Sequence, residues 1–189
     1  FKTIGYAMSV TYGLSSDAIT INLTEGSFSP SSTGEEFPIM MVSHVNLIGQ
    51  GEDVTIIDAE ETDRVITMEN CQNNVISNLL ITGGNITGSG GGMRLSGSHP
   101  TLTNVFIVNN TANGMGSNGK GGGMSLDNSA PTLENVTISG NSANQGGGGM
   151  SLHSDWRESD KGDWVYTDDE RIVQPSNTIL TDVTIVNNT

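Results

Sequence analysis

The chain has 189 residues and a formal net charge of −14, and it contains 25 glycines but only 5% aromatic residues. This length fits one domain or one elongated array, and many glycines with few aromatics favour thin, repetitive β-structure over a large globular core. The acidity argues against a nucleic-acid partner, which requires Lys and Arg to bind phosphates, and no apolar run reaches the ~20 residues of a membrane span.

The first segment, FKTIGYAMSV, predicts a short helix, because Ile4, Ala7 and Met8 fall on one helical face. Uncovered ends of stacked strands invite edge-to-edge association, so we expect residues 1–17 to cap the open end of the fold. Residues 18–189 then form the stack itself. Its opening strands lie in AITINLTEGSF, FPIMMVSHVNLIGQGEDVTIIDAE and RVITMEN, which are apolar runs separated by Gly, Pro and acidic turns.

Two sequence elements recur from residue 73 onward. The first is NNVISNLLITGGN (73–85), PTLTNVFIVNNTA (100–112), PTLENVTISGNSA (131–143) and NTILTDVTIVNNT (177–189); the second is GGGMRL (90–95) and GGGMSL (121–126 and 147–152). Within each core, apolar and polar residues alternate with period two, which is typical of strands. Short strands at this spacing bury a face only by stacking coil on coil. The sequence therefore predicts an all-β fold, a parallel β-helix, formed as one domain over residues 1–189.

Asparagines recur at one position of the repeated core. Asn110, Asn141 and Asn188 occupy the same place in three units, and Gly84 occupies it in the fourth. An Asn can adopt a left-handed turn and bond to its neighbour's backbone. We expect these residues to stack as a structural amide ladder inside the coils.

The second repeated element predicts an outward strip on the fold. If its Met and Leu residues point inward, the intervening residues form two outward columns. One column is Thr67, Arg94, Ser125 and Ser151, and the other is Glu69, Ser96, Asp127 and His153. Asp127 and His153 could form a general acid/base pair, act as metal ligands or belong to a solvated polar strip. Arg94, the only basic residue in the columns, could pair with Glu69 or Asp127.

An insertion interrupts the repeat at residues 153–177, HSDWRESDKGDWVYTDDERIVQPSN. Long insertions on repeats often form binding faces. Its aromatic residues Trp156, Trp164 and Tyr166 could stack on sugar rings, although the tryptophans could equally pack the loop onto the wall of the coils. Five carboxylates could gather a calcium ion, which takes six to eight oxygens, although their spacing matches no EF-hand loop. These are Asp155, Asp160, Asp163, Asp168 and Asp169.

The opening segments FKTI, ITINLTEGSF, GEEFPIMM and VNLIGQGEDVTIID resemble the uncharacterised domain that opens many bacterial right-handed β-helix proteins of the pectate-lyase-like superfamily. The repeats resemble those of polymorphic outer-membrane proteins, which combine an F-x-x-N element with a G-G-A-I element. Here Ile138-Ser-Gly-Asn141 matches the first with Ile for Phe, and Gly122-Gly-Met124 matches the second with Met for Ala.

The resemblance implies a right-handed helix, an extracellular or cell-surface location, and a site on the outward strip of one sheet, walled by long loops. It also implies that a lyase of this kind would use Ca²⁺ to neutralise a uronate and an Arg or Lys as base, a role that Arg94 would take. The superfamily's catalytic signatures W-x-D-H, N-T-D, G-H-G, R-I-K and Q-D-T are missing, and the fragment Arg171-Ile172-Val173 lacks the lysine.

These observations favour a non-catalytic surface or secreted module that binds carbohydrate or another surface. The ligand-binding candidates are Trp156, Trp164, Tyr166, Arg94, Glu69, Asp127 and His153. One alternative is a polysaccharide lyase or hydrolase acting on an acidic glycan, with Arg94, Asp127 and His153 as catalytic candidates; another is a structural spacer or adhesin stalk. The missing initiator Met and the final mid-repeat VTIVNNT favour a piece of a longer protein with further domains.

Overall fold

The computed structural model describes residues 1–115, 118–153 and 178–189, together with the backbone of the strands at 164–167 and 170–173. These residues form a β-solenoid of five coils followed by the first strands of a sixth. Each full coil contributes parallel strands to two or three sheets that run along the solenoid. The predicted all-β parallel β-helix is confirmed.

Sheet 1 has nine strands, β1 (Ile19–Asn22), β2 (Gly26–Phe28), β4 (Val45–Ile48), β5 (Thr55–Asp58), β7 (Val75–Thr82), β10 (Thr101–Val108), β13 (Thr132–Ser139), β18 (Ile179–Thr181) and β19 (Thr184–Val186). Sheet 2 has five, β3 (Ile39–Met40), β6 (Ile66–Glu69), β9 (Met93–Ser96), β12 (Met124–Asp127) and β15 (Met150–His153). Sheet 3 is formed by β8 (Asn85–Ile86), β11 (Thr111–Ala112) and β14 (Ser142–Ala143). The strands β16 (Trp164–Thr167) and β17 (Glu170–Val173) pair with each other in antiparallel orientation.

The repeated cores stack in parallel register, but the cores at 73–85 and 177–189 are shifted by one residue from an alignment of their first residues with residues 100 and 131. In sheet 1, Leu102 of β10 pairs with Ile76 of β7 and with Leu133 of β13. The earlier coil differs, because its long strand is divided into β4 and β5, which both pair with β7. Buried residues recur along β4, β5, β7, β10 and β13, whereas β1 at one end of the sheet and β18 and β19 at the other have none.

The core is a set of apolar columns, one residue per coil. In sheet 2 the predicted inward direction of Met and Leu is confirmed, since Met93, Leu95 and Met124 are fully buried. Stacking places each of these side chains directly over its equivalent in the next coil. Burial of such side chains contributes about 1.5–3 kcal/mol each, and this burial is available only to stacked coils.

Asn110, Asn141 and Asn188 lie in the turn between sheets 1 and 3. The Asn141 side-chain oxygen accepts hydrogen bonds from the backbone N–H and the amide of Asn110, at 2.9 and 3.0 Å. Asn188 repeats this pattern with Asn141, and Asn110 accepts from the backbone N–H of Gly84 at 2.9 Å. The left-handed conformation lies one residue earlier than the ladder residues, at Asn109, Gly140 and Asn187.

A second column of asparagines bends the long strands of sheet 1. Asn78, Asn104, Asn135 and Asp182 all have φ between 52° and 55°. Asn is among the few residues with a side chain that visit this region readily. The amide of Asn104 donates to Asn78 at 2.9 Å, and that of Asn135 donates to Asn104 at 2.7 Å. The long strands therefore turn a corner without leaving the sheet.

The N-terminal segment forms α1 (Ile4–Ser9), and its buried residues are Ile4, Ala7 and Met8, as the helical pattern predicts. A buried carboxylate satisfies the start of this helix. The Glu35 oxygens accept hydrogen bonds from the backbone N–H groups of Ile4 and Gly5, at 2.6 and 2.8 Å. Glu35 is only 2% exposed, so it joins the helix firmly to the first coil.

Replacing Glu35 with Ala is expected to lower the free energy of unfolding by about 2–4 kcal/mol, because two buried N–H groups lose a charged acceptor. Urea unfolding followed by circular dichroism measures the change. Glu36→Ala is the matched control, since Glu36 is the exposed neighbour. Equal midpoints for the two variants would show that the carboxylate does not hold the helix.

Glu60 ties the turn after β5 to the preceding coil. Hydrogen bonds from the hydroxyls of Ser29 and Ser31 lower the pKa of the Glu60 carboxyl below its usual value. Because the pKa is lower in the folded chain, the associated stabilisation is present above the unfolded-state pKa and is lost as the pH falls through the folded-state pKa.

Ser29→Ala is therefore expected to raise the pKa of Glu60 toward its usual value and to weaken the acid-side loss of stability. A carboxyl-resolved NMR titration measures this pKa. Ser9→Ala is the control, since the Ser9 hydroxyl donates to Tyr6 within α1. A Glu60 pKa that is the same in all three proteins would contradict the assignment.

Candidate functional site

The outer face of sheet 2 carries the two columns of the outward strip. Arg94 pairs with Thr67 on one side and with Ser125 on the other, and Ser125 pairs with Ser151. Beside them, Ser96 pairs with Glu69 and Asp127, and Asp127 pairs with His153. Parallel strands lie ~4.8 Å apart, so neighbouring members of a column can reach one ligand.

Thr67 is the exception in its column, because it is only 3% exposed. The guanidinium of Arg64 covers it and donates to its hydroxyl at 3.2 Å. The accessible part of the first column therefore begins at Arg94. Arg64, and not Thr67, is the residue that lines the cleft next to Arg94.

A cleft of about 530 Å³ lies over this strip. Its floor is formed by sheet 2, and one wall is formed by the turns that precede β6, β9 and β12. The lining residues are Arg64, Gly88, Ser89, Arg94, Asn118, Lys120, Ser125, Asp127, Ser151, Leu152 and His153. This volume is in the range of small-molecule binding sites.

The cleft concentrates positive charge in an acidic chain. The chain has seven Lys and Arg residues, and four of them, Lys2, Arg64, Arg94 and Lys120, have described side chains. Three of these four line the cleft. A local excess of cations against a net charge of −14 concentrates anions at this place on the surface.

Arg64 is held in the cleft wall by the backbone of the next coil. Its Nε donates to the Gly90 carbonyl at 2.7 Å and its Nη2 to the Ser89 carbonyl at 2.8 Å. With the bond to Thr67, these contacts occupy three of the five N–H groups of the guanidinium. The remaining two have no hydrogen-bond partner among the described residues.

Arg94 lies on the floor with one weak partner. Its Nη1 is 3.8 Å from the Oε1 of Glu69, and the two side chains are 38% and 56% exposed. An exposed pair of this kind contributes about 0–1 kcal/mol, so it competes little with a ligand. Of the two partners that the sequence offers for Arg94, the structure selects Glu69.

The two arginines repel each other. Burial lowers the pKa of the Arg64 guanidinium, and the nearby positive charge of Arg94 lowers it further, while Asp63 and Glu69 oppose both effects. An anion bound between the two guanidinium groups would relieve this repulsion. Guanidinium groups bind carboxylate, sulfate and phosphate oxygens through paired N–H donors.

Asp127 and His153 form the catalytic candidate pair of the strip. The register places them on adjacent coils, with Asp127 partly buried and His153 exposed at the end of β15. Their side chains, both of which the structure describes, share no hydrogen bond. The arrangement offers a carboxylate and an imidazole to one ligand, which is enough for acid/base chemistry or for polar binding.

The aromatic and calcium candidates lie outside the residues whose side chains the structure describes. These are Trp156, Trp164 and Tyr166, and Asp155, Asp160, Asp163, Asp168 and Asp169. Within the described residues, no group of three or more His, Cys, Asp or Glu is placed to hold a metal ion. In the same residues, no helix has the length and apolar character to cross a membrane.

Sequence reasoning missed Arg64, Ser89 and Lys120, which build the cleft wall. The residue directly before the repeated glycine run is Ser89 in one coil and Lys120 in the next. Aligning this position across coils would have placed both residues beside the outward strip. Arg64 has no such signal, because it lies in a turn and reaches carbonyls 25 and 26 residues later.

Comparisons with known proteins bear on the fold. No family model and no curated protein matches the chain. Among solved structures, the chain is similar to a pectin methylesterase mutant crystallised in complex with a hexasaccharide, with a TM-score of 0.53 and 14% identity. The match covers 74% of this chain and 45% of that one, so this chain spans less than half of the enzyme's length. The likeness confirms the right-handed parallel β-helix fold.

Proposed function

We propose that this chain is a non-catalytic, carbohydrate-binding β-helix module, and that its cleft over sheet 2 binds an anionic glycan. The observation that carries the proposal is the concentration of charge. Arg64, Arg94 and Lys120 line one cleft of a strongly acidic chain. Such a site favours a carboxylated or sulfated ligand over a neutral one.

The shape of the cleft supports a chain-like ligand. The columns of sheet 2 continue across neighbouring coils, so binding groups recur along the solenoid at the spacing of the strands. Ser125 and Ser151 supply hydroxyl groups to sugar hydroxyls, and the arginines supply paired donors to acidic groups. The pectin methylesterase of similar fold was crystallised with a hexasaccharide, which supports an oligosaccharide of that length as the first probe.

We extend the proposal to the insertion at 153–177 on the basis of its sequence. It begins at His153, which lines the cleft. We propose that Trp156, Trp164 and Tyr166 provide stacking surfaces for sugar rings, and that the module belongs to a secreted or cell-surface protein. Replacing Trp156 and Trp164 with Ala should then weaken glycan binding. Unchanged binding to a panel of glycans would show that these aromatic residues are not part of the site.

The test is titration calorimetry with acidic and neutral hexasaccharides of matched length, repeated with and without calcium. We expect a uronate hexasaccharide to bind at least about tenfold more tightly than its neutral methyl ester, since each charged hydrogen bond contributes about 1.5–3 kcal/mol. Equal affinity for both forms, or binding of neither, would overturn the proposal. A calcium requirement would favour the aspartates of the insertion as its ligands.

A catalytic function is the second candidate, because Asp127 and His153 are adjacent in the same cleft as two arginines. A lyase would release an unsaturated product, and a hydrolase would release new reducing ends. Either product, formed by the wild-type chain and lost in both Arg94→Ala and Asp127→Asn, would establish an enzyme. Glycan binding without formation of either product would favour the non-catalytic module over the enzyme.

A further inference from the structure

The wall of the cleft is fixed by contacts that join three coils. Arg64 lies in the turn between β5 and β6, in the second coil, and donates to the carbonyls of Ser89 and Gly90, which precede β9 in the third coil. The Ser89 hydroxyl in turn accepts hydrogen bonds from the backbone N–H groups of Gly119 and Lys120 in the fourth, each at 3.1 Å. The path therefore runs from one cation of the cleft to another.

Lys120 is pinned through its backbone although its side chain is exposed. Its N–H donates to Ser89, and its carbonyl accepts from the N–H of Gly90 at 2.9 Å. The preceding residue adds a second constraint. Gly119 has φ +85°, and a Cβ there would lie 2.3 Å from the Gly114 carbonyl oxygen, so only glycine fits this turn.

We propose that Ser89 is a positioning residue for the glycan site, and that its hydroxyl, by holding the backbone of Lys120, increases the contribution of Lys120 to anion affinity. This proposal rests on the proposed function. Lysine is a flexible point charge, so the place where its backbone is fixed decides whether its ammonium group reaches the cleft. A single mutation of Ser89 removes both of the hydrogen bonds that its hydroxyl accepts from the next coil.

A double-mutant cycle tests the proposal. The proteins are the full chain, Ser89→Ala, Lys120→Ala and the double variant, and the probe is the uronate hexasaccharide. Thr87→Ala is the matched control, because Thr87 is an exposed hydroxyl in the same turn. We expect affinity losses of about threefold for Ser89→Ala, about fivefold for Lys120→Ala and about fivefold again for the double variant, since residues that act through one another are not additive.

A loss from Ser89→Ala that persists undiminished in the Lys120→Ala background would overturn the proposal, because Ser89 would then act on the ligand or the fold directly. Amide hydrogen exchange supplies a readout that needs no ligand. Exchange at Gly119 and Lys120 should be faster in Ser89→Ala by about tenfold, as expected when a protecting hydrogen bond is lost, and unchanged in Thr87→Ala.

The two readouts separate the failure of this proposal from that of the proposed function. If the wild-type chain binds no acidic hexasaccharide, the proposed function fails. Positioning of Lys120 by Ser89 then has no effect on anion binding. If the wild-type chain binds but exchange at Gly119 and Lys120 does not change in Ser89→Ala, the positioning role alone is overturned.

Discussion

Replacing Arg94 with Gln is expected to weaken binding of a uronate hexasaccharide about tenfold, because the variant loses a charge-assisted hydrogen bond on the cleft floor. Arg94 has only the distant Glu69 carboxylate as a charge partner among the described residues, so most of its charge is available to the ligand. Calorimetry at low ionic strength measures the change, and added salt should reduce the difference between variant and wild type.

Lys2→Gln is the matched control for charge. It removes the same formal charge from the fourth described cation, which lies in the N-terminal segment and does not line the cleft. Glu69→Gln should have the opposite effect, since it removes the carboxylate that competes for Arg94, and we expect about a twofold gain. If Lys2→Gln weakens binding as much as Arg94→Gln, net charge alone explains the affinity and the cleft is not the site.

Replacing Asn141 with Ala is expected to lower the free energy of unfolding by about 3 kcal/mol or more, because several buried groups lose their partners together. Asn141 accepts from the backbone and the amide of Asn110, and it donates to the Ile107 carbonyl at 2.9 Å. It is fully buried, so water cannot replace these bonds in the native coil. Urea unfolding measures the loss.

Asn135→Gly is the matched control, because Asn135 belongs to the second column of asparagines, at the bend of the long strands in sheet 1. It also removes a ladder amide, the donor to Asn104 at 2.7 Å, but the site is exposed and glycine adopts its positive φ without strain. We expect a change within about 1 kcal/mol. Equal losses for Asn135→Gly and Asn141→Ala would contradict the view that the buried ladder, rather than amide stacking in general, joins the coils.

The strand repeat made much of the fold predictable. Period-two alternation places Met93, Leu95 and Met124 inward, and the recurrence of the cores gives the parallel stacking of sheet 1 and the register of β10 with β13. The register of the structure places Asn78, Asn104, Asn135 and Asp182 in one column, and alternation alone does not show that the strand bends there. A bend inside a strand depends on a positive φ, which Asn permits but does not require.

The site was less predictable than the fold. The floor of the cleft follows from strand geometry, which puts Arg94, Asp127 and His153 on the outward face. The wall does not, because Arg64 and Lys120 lie in turns, where side-chain direction follows no period. Their positions depend on bonds between coils, such as the one from Arg64 to the Ser89 carbonyl, and such bonds exist only after the coils have stacked.

The central claim is that the cleft over sheet 2 binds an anionic glycan, and a crystal structure of the chain with a uronate hexasaccharide tests it most directly. The account predicts sugar density along sheet 2, with acidic groups within hydrogen-bond distance of Arg64 and Arg94 and one near Lys120. Density on another face of the solenoid, or an empty cleft at a saturating concentration that binds in solution, would contradict it.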